Sequence, residues 1–410
     1  MSSPLLKKIV EGQLCSGCGA CVAVASDALQ MEYVDPGYLR PRQLREINDA
    51  QEERIAQLCP GVGYELDPAG RADDPLWGPV TGSRIGYATD SSLRSHASSG
   101  GALTAILLYL FECGMIDGVL QTEASPELPI GNATVLSVSP EQTICAAGSR
   151  YAPSAPLAEL QDHLAGTSRF AFVGKPCDVA ALRVMARFDL KIHERIPILL
   201  SFFCAGVPSL TGVRQILTAL DVEEKDVTAF RYRGDGWPGP ARATLQNGQR
   251  REMSYADSWG GTLSKHLQFR CKICPDGAGS FADIVCGDAW ECDEGGYPIF
   301  EECDGRSLII SRTSKGERIV KAAIDGGLVD AIECQSDIFR PMQPGQLRKK
   351  RSILPRLIAL RLLGRPVPKY RGFHLLRNAR EAGWQLFFRN VVGTLWRTLK
   401  ASIPGARFPI

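Results

Sequence analysis

The sequence predicts an α/β (α+β) chain in three parts. These are a small cysteine-rich N-terminal segment, a body built on a mixed or largely parallel sheet, and a basic helical C-terminal tail. Three observations predict this. Cys15, Cys18 and Cys21 stand two residues apart near the start. Short apolar runs alternate with helical stretches between Phe170 and Leu220, the pattern that gives parallel strands. Residues 341–410 hold fifteen Lys and Arg against one acid, Glu381.

Residues 1–75 form the first part. Three thiols at this spacing, with small residues between them, can converge on one point. A bacterial-ferredoxin segment wraps a 4Fe-4S cluster this way, drawing a fourth cysteine from elsewhere, often one followed by proline. Cys59-Pro60 is that candidate. Gly17 and Gly19 let the backbone pass close to inorganic sulfide. The charged stretch Gln43–Gln57 reads as a short helix ending just before Cys59, and residues 67–75 read as a turn-rich linker.

The body begins near Ile85. Ser98-Ser99-Gly100-Gly101 opens an apolar helix, Ala102–Glu112, followed by a strand at Ile116–Leu120. A serine–glycine turn at a helix start suits a phosphate, although a glycine turn needed only for packing reads the same way. His96, beside that turn, is a candidate proton donor. Phe170–Val173 and Ile196–Phe203 read as buried strands, each followed by a helix (Val179–Arg187 and Ser209–Leu220). Cys177 and Cys204 then fall just past the carboxyl ends of neighbouring parallel strands, where open α/β sheets bind ligands. Cys271-Lys-Ile-Cys274 adds two more thiols, with Cys286 competing for a place in the set. Iron–sulfur and four-cysteine zinc sites both remain open here. Lys175, at the same sheet edge, could face a phosphate or a reduced ring. Arg231–Gly239 reads either as an arginine clamp with a stacking Trp237 or as a tight turn. Cys113, Cys145, Cys292, Cys303 and Cys334 lack a CxxC partner and read as small buried apolar residues.

Length and composition allow two or three domains: 410 residues, 44% of them apolar. No run approaches a membrane-spanning helix, and the N-terminus lacks the pattern of a secretory signal. The expectation is a cytoplasmic protein, and fourteen cysteines in such a chain indicate metal or redox chemistry. Neither GxGxxG in a βαβ unit nor a Walker loop is present. Outside the tail, thirty-two basic side chains face forty-four acidic ones. Two tail stretches, Gln346–Leu363 and Trp384–Leu399, mix basic and apolar residues at helical spacing. Such helices can lie on the inner membrane surface, dock on the acidic body or bind an acidic partner such as a ferredoxin. Nucleic acid is not expected, for no binding module accompanies the charge.

Taken together, these blocks resemble the beta-subunit family of coenzyme F420 hydrogenases and dehydrogenases, which also includes 7-hydroxymethyl chlorophyll a reductase and a ferredoxin-dependent divinyl chlorophyllide reductase. The residues that carry the resemblance run from Leu14 to Trp290. They are Cys15-x2-Cys18-x2-Cys21, Ser98–Thr104 with Ile116–Val119, Ser149-Arg-Tyr-Ala-Pro-Ser154, Phe172–Cys177, Cys204, Phe230–Trp237, Cys271-x2-Cys274 and Ala282–Asp288. The resemblance implies FAD held against two 4Fe-4S clusters. By position, Ser98, Ser99, Gly100, Gly101, Thr104, Ser149, Arg150, Tyr151 and Ser154 become flavin-site residues. Cys15, Cys18, Cys21 and Cys59 then hold one cluster, and Cys177, Cys204, Cys271 and Cys274 the other, which favours Cys177 over Cys286. Lys175 stands where relatives often have a small residue, and a tetrapyrrole substrate is not expected. The expected function is an oxidoreductase passing electrons between a one-electron carrier or deazaflavin coenzyme, the clusters, FAD and a small organic substrate. Its alternatives are a non-catalytic electron-transfer subunit and a zinc-stapled binding protein.

Overall fold

Alternation within the apolar strands builds the body of the protein. The computed structural model describes residues 3–294 and 298–401. Its N-terminal segment contains α1 (Pro4–Glu11), the hairpin β1 (Leu29–Val34) and β2 (Tyr38–Gln43), α2 (Asp49–Leu58) and the short β3 (Gly63–Glu65). The expected helix over 43–57 starts later, because Gln43 ends β2 and Asn48 closes a capping box with Gln51.

The body holds β4 (Gly82–Ala88), α3 (Ala102–Glu112), β5 (Gly118–Ala124), β6 (Asn132–Ser137), β7 (Phe170–Gly174), α4 (Pro176–Met185), β8 (Leu199–Phe202) and α5 (Leu210–Ala219). A small antiparallel sheet follows: β9 (Val227–Arg231), β10 (Ala241–Leu245) and β11 (Arg250–Met253). Then come α6 (Phe269–Lys272), β12 (Ile284–Asp288), β13 (Ser307–Ser311), α7 (Ser314–Asp325) and β14 (Val329–Glu333).

Eight of these strands form one mixed sheet, in the order β14-β4-β13-β12-β8-β7-β5-β6. Its centre is parallel, as expected: β5 pairs with β7, β7 with β8 and β8 with β12. Both flanks are antiparallel. Successive residues of β7 serve opposite layers. Phe170 and Phe172 pack with α4 on one face, while Ala171 and Val173 pack with α3 and α7 on the other. Burial on both faces is what makes such strands read as continuous apolar runs.

The tail folds onto the body. In α8 (Pro344–Leu362), Ile353, Leu357 and Leu360 share a core with Ile9, Leu14, Cys15 and Ile273. Gln346 and Lys350 are also buried, donating to the carbonyls of Cys204 (2.9 Å) and Pro275 (3.2 Å). This helix is therefore not a surface amphipath. Residues 369–371 (β15) pair in parallel with β3, stitching the tail to the N-terminal segment. The last helix, α9 (Trp384–Ala401), contacts α8 through Arg356 and Asn390. Among the described residues no helix is long and apolar enough to cross a membrane.

Candidate functional site

Four strand ends and one glycine turn create the cleft. It opens at the carboxyl ends of β5, β7, β8 and β12, where Gln121, Gly174, Phe203 and Gly287 line it, the edge at which open α/β sheets bind ligands. Ser99, Gly100 and Gly101 all adopt positive φ just before α3. A Cβ on Gly100 would lie 2.6 Å from the Gly305 carbonyl oxygen, so only glycine fits. No side chain caps α3, and the amides of a helix's first turn are the groups that can meet an anion.

Most expected flavin-site residues line this cleft: Ser98, Ser99, Gly101, Thr104, Ser149, Arg150, Tyr151 and Ser154. The Ser149 amide donates to Ser98 Oγ at 2.7 Å, joining the two blocks. Arg150 gives its guanidinium to structure, donating to Asn132 Oδ1 (2.7 Å) and to the carbonyls of Phe230 (3.0 Å) and Gly131 (2.6 Å). Tyr151 packs against Trp259, with ring centroids 4.6 Å apart.

Lys175 also reaches the cleft, yet it is buried. Its ammonium donates to Ser154 Oγ at 2.6 Å and pairs with the fully buried Asp178 at 2.9 Å. Burial works against the ammonium, but Asp178 and the thiols of Cys177 and Cys204 outweigh it and hold its pKa above the usual lysine value. His96 does not line the cleft; its Nδ1 lies 3.0 Å from Asp235 on the half-exposed surface.

Sequence reasoning passed over Asp288 as a centre in its own right. It accepts from Ser99 Oγ (2.7 Å), Trp237 Nε1 (2.7 Å) and the two terminal nitrogens of Arg233, Nη1 and Nη2 (2.8 and 2.6 Å). Burial would raise its pKa, but Arg233 wins and holds it below the ordinary carboxylate value. The arginines of 231–239 thus clamp the protein's own acids, with Arg231 paired to Asp235 at 3.3 Å. Trp237 stacks on Trp290, centroids 4.7 Å apart and planes 9° from parallel.

The thiols fall into two groups. Cys21 feels Cys15, Cys18 and Cys59 as electrostatic neighbours. Cys204 feels Cys271 and Cys274. Of the thiols, Cys177 feels Cys204 first and then Cys18 of the other group, so it stands where the two groups approach each other. Burial comes first in every shift. It pushes Cys18 up to about 12, with Asp178 and then Cys59 adding to it, and Cys59 up to about 11, with Cys15 adding. It pushes Cys204 up to about 12, with Cys271 adding. Four thiolates crowded in such sites need a cationic centre to remain ionised together. Amide donors already face the sulfurs at 3.4 Å: Gly17 to Cys15, Gly61 to Cys59, and Val207 to Cys271. Gly17 and Gly19 have φ of 81° and 83°, as a backbone wrapping an inorganic core requires. These features fit an iron–sulfur cluster in each group.

Among the described residues no three His, Cys, Asp or Glu side chains converge closely enough to share one metal ion. Cys286 pairs in register with Phe202 inside the sheet, and burial alone pushes its thiol up to about 12. Cys113, Cys145 and Cys303 are exposed and Cys292 and Cys334 half-buried, which corrects the expectation that all five are buried apolar residues. They sit on loops and helix ends, where a small side chain does not have to be covered.

Comparison with known proteins places the body. Residues 85–161 match the family model for the N-terminal part of the coenzyme F420 hydrogenase/dehydrogenase beta subunit, and residues 167–337 match the model for its C terminus. The chain is 26% identical over 295 residues to coenzyme F420 hydrogenase subunit beta of Methanococcus voltae, covering 68% of this chain and 95% of that protein. It is 27% identical over 227 residues to F420-dependent formate dehydrogenase subunit beta of Methanocaldococcus jannaschii, covering 54% of this chain and 57% of that protein. A solved chain from the F420-reducing NiFe hydrogenase complex of Methanosarcina barkeri shares the fold, with a TM-score of 0.52 and 20% identity, covering 68% of this chain and 93% of that one.

Proposed function

The chain belongs to the coenzyme F420 hydrogenase/dehydrogenase beta-subunit family, and from that premise we propose that it is an iron–sulfur flavoprotein oxidoreductase. Cys15, Cys18, Cys21 and Cys59 hold one 4Fe-4S cluster. Cys177, Cys204, Cys271 and Cys274 hold a second, and the cleft holds FAD. One observation carries this reading: Cys204 belongs to the second thiol group and also lines the cleft. When bound, the clusters supply one-electron steps and the flavin joins them to two-electron chemistry on an organic substrate or deazaflavin coenzyme.

The protein's own residues bind, orient and exclude water. The amides at the start of α3 receive a phosphate, and Ser99 is fixed for that task by Asp288. Lys175 keeps a positive charge at the cleft floor, where it can stabilise an anionic ring. His96, outside the cleft, is assigned no step. A zinc staple fits less well. Tetrahedral zinc needs its sulfurs about 2.3 Å from one point, whereas a four-iron cluster fills the wider space between thiols with its own sulfide.

The redox carrier is a ferredoxin or reduced deazaflavin, acting on the chain in the cytoplasm. The solved relative is part of a complex, which favours one further arrangement: an electron-transfer subunit whose chemistry lies in its partner. A partner recovered in stoichiometric amount, with no turnover by the isolated chain, selects that arrangement. We assign the outer face of α9 to an anionic membrane surface.

Replacing Cys274 with alanine tests the second site. Cys274→Ala should lose about half the iron, the share of one four-cysteine cluster, and keep the N-terminal cluster. Unchanged iron would show that Cys274 is not a ligand.

A further inference from the structure

A buried polar set lies between the two thiol groups, and no ligand assignment uses it. Arg270 immediately precedes Cys271 and is only 2% exposed. Its Nε and Nη2 donate to the Pro60 carbonyl at 3.2 and 2.8 Å, one residue after Cys59. A side chain rooted beside one group therefore holds the backbone of the other.

The guanidinium lies over two rings, 5.2 Å from the centroid of Tyr64 and 5.5 Å from that of Tyr370. These tyrosines are register partners in the β3–β15 pair, and their rings stack at 5.8 Å. Cys177 and Cys274 pack against the apolar cluster that contains Tyr64, and Cys59 packs in the neighbouring cluster with Tyr370.

Among the described residues, Arg270 Nη1 and the Tyr64 hydroxyl have no hydrogen-bond partner. The Tyr370 hydroxyl oxygen lies within reach of the Arg270 side chain as an acceptor, which leaves its own proton to donate elsewhere. A guanidinium can only donate, and a buried donor left unpaired is costly. The protons of the Tyr64 and Tyr370 hydroxyls thus find no acceptor among the described residues, and Arg270 Nη1 has no well-formed bond. What is missing is an anionic acceptor beside Cys177 and Cys274, and the sulfurs of an iron–sulfur cluster supply one.

We propose that Arg270, Tyr64 and Tyr370 donate hydrogen bonds to sulfurs of the second cluster and raise its reduction potential. This rests on the reading that Cys177, Cys204, Cys271 and Cys274 hold a cluster. One-electron reduction adds a negative charge to the cluster, and a nearby cation with hydrogen-bond donors favours the more negative state. The three are positioning and tuning residues, not ligands. Tyr370 comes from the tail, so the tail forms part of the wall of a redox centre.

The test is a redox titration followed by electron paramagnetic resonance on the full chain, reconstituted without oxygen, with iron and sulfide measured in parallel. Tyr64→Phe and Tyr370→Phe each remove one hydroxyl, and Arg270→Lys keeps the charge while losing the fork. Each variant should retain its iron. In the Tyr64→Phe/Tyr370→Phe double variant one cluster should become harder to reduce while the other is unchanged. The expected change is a tenfold fall in its reduced-to-oxidised ratio at fixed potential, equivalent to about 59 mV for a one-electron couple. Arg270→Lys should move the same cluster in the same direction. Full iron with both midpoints unchanged overturns the proposal alone. A wild-type chain that takes up no iron overturns the cluster reading beneath it, and the proposal with that.

Discussion

Asp288 is where several weak sequence signals become one structural fact. Nothing in Ala282–Asp288 marks the last residue as a centre, because its partners Ser99, Arg233 and Trp237 lie 189, 55 and 51 positions away. Only the fold brings them together. Removing one partner of a buried ion pair costs about 3–5 kcal/mol, since the other is left uncompensated. Asp288→Asn should therefore lower unfolding free energy by about 3 kcal/mol at pH 7, measured by denaturant titration of the apoprotein. The sign of the pH dependence follows from the lowered pKa. A carboxyl whose folded pKa lies below its unfolded value of about 3.9 adds its full stability above that value and loses it as pH falls through the folded one. The gap between wild type and Asp288→Asn should thus be constant from neutral pH down to about 4 and close below it. A gap that closes near pH 6 would contradict this assignment.

At the scale of elements, legibility followed burial and spacing. Phe170–Val173 announced a parallel strand because both its faces are covered, and Cys177 and Cys204 then had to emerge at one sheet edge. The Cys15–Cys18–Cys21 spacing needs no fold to be recognised, and the structure brings Cys59 to it from 38 residues further on. The antiparallel strands β4, β13 and β14 were harder to read. Their pairing depends on partners more than 200 residues apart, and no local periodicity records that. His96 was misleading for a related reason: adjacency to the Ser98–Gly101 turn does not determine which way an imidazole points, and Asp235 takes it outward. The turn itself offers a test. At Gly100, with φ of 73°, a methyl would meet the backbone of Gly305. Gly100→Ala should cost about 2–5 kcal/mol, combining a left-handed residue with overpacking. It should lower the flavin-to-iron ratio while leaving iron content intact. A variant with an unchanged ratio would separate this turn from the flavin site.

On the scale of the whole molecule, the tail proved to be two different things. Charge counting treated residues 341–410 as one basic block, whereas the fold spends α8 and β15 on the walls of the thiol groups and leaves α9 outside. On α9, Trp384, Phe388, Val392, Trp396 and Leu399 are each more than half exposed, and the helix's charges, Arg389, Arg397 and Lys400, are all positive. A stripe of this kind matches an interfacial helix on an anionic bilayer. The full chain should sediment with vesicles containing anionic lipid and not with neutral ones, and Trp384→Asp/Trp396→Asp should abolish the binding. Sedimentation that is unaffected by those substitutions would remove α9 from the membrane. The central claim, two thiolate groups each holding a four-iron cluster beside a flavin, is tested most directly by metal, sulfide and flavin analysis of the full chain purified without oxygen. The account predicts about eight irons, four for each four-cysteine site, an equal amount of acid-labile sulfide and one flavin per chain. A colourless protein carrying stoichiometric zinc and neither iron nor flavin would contradict it.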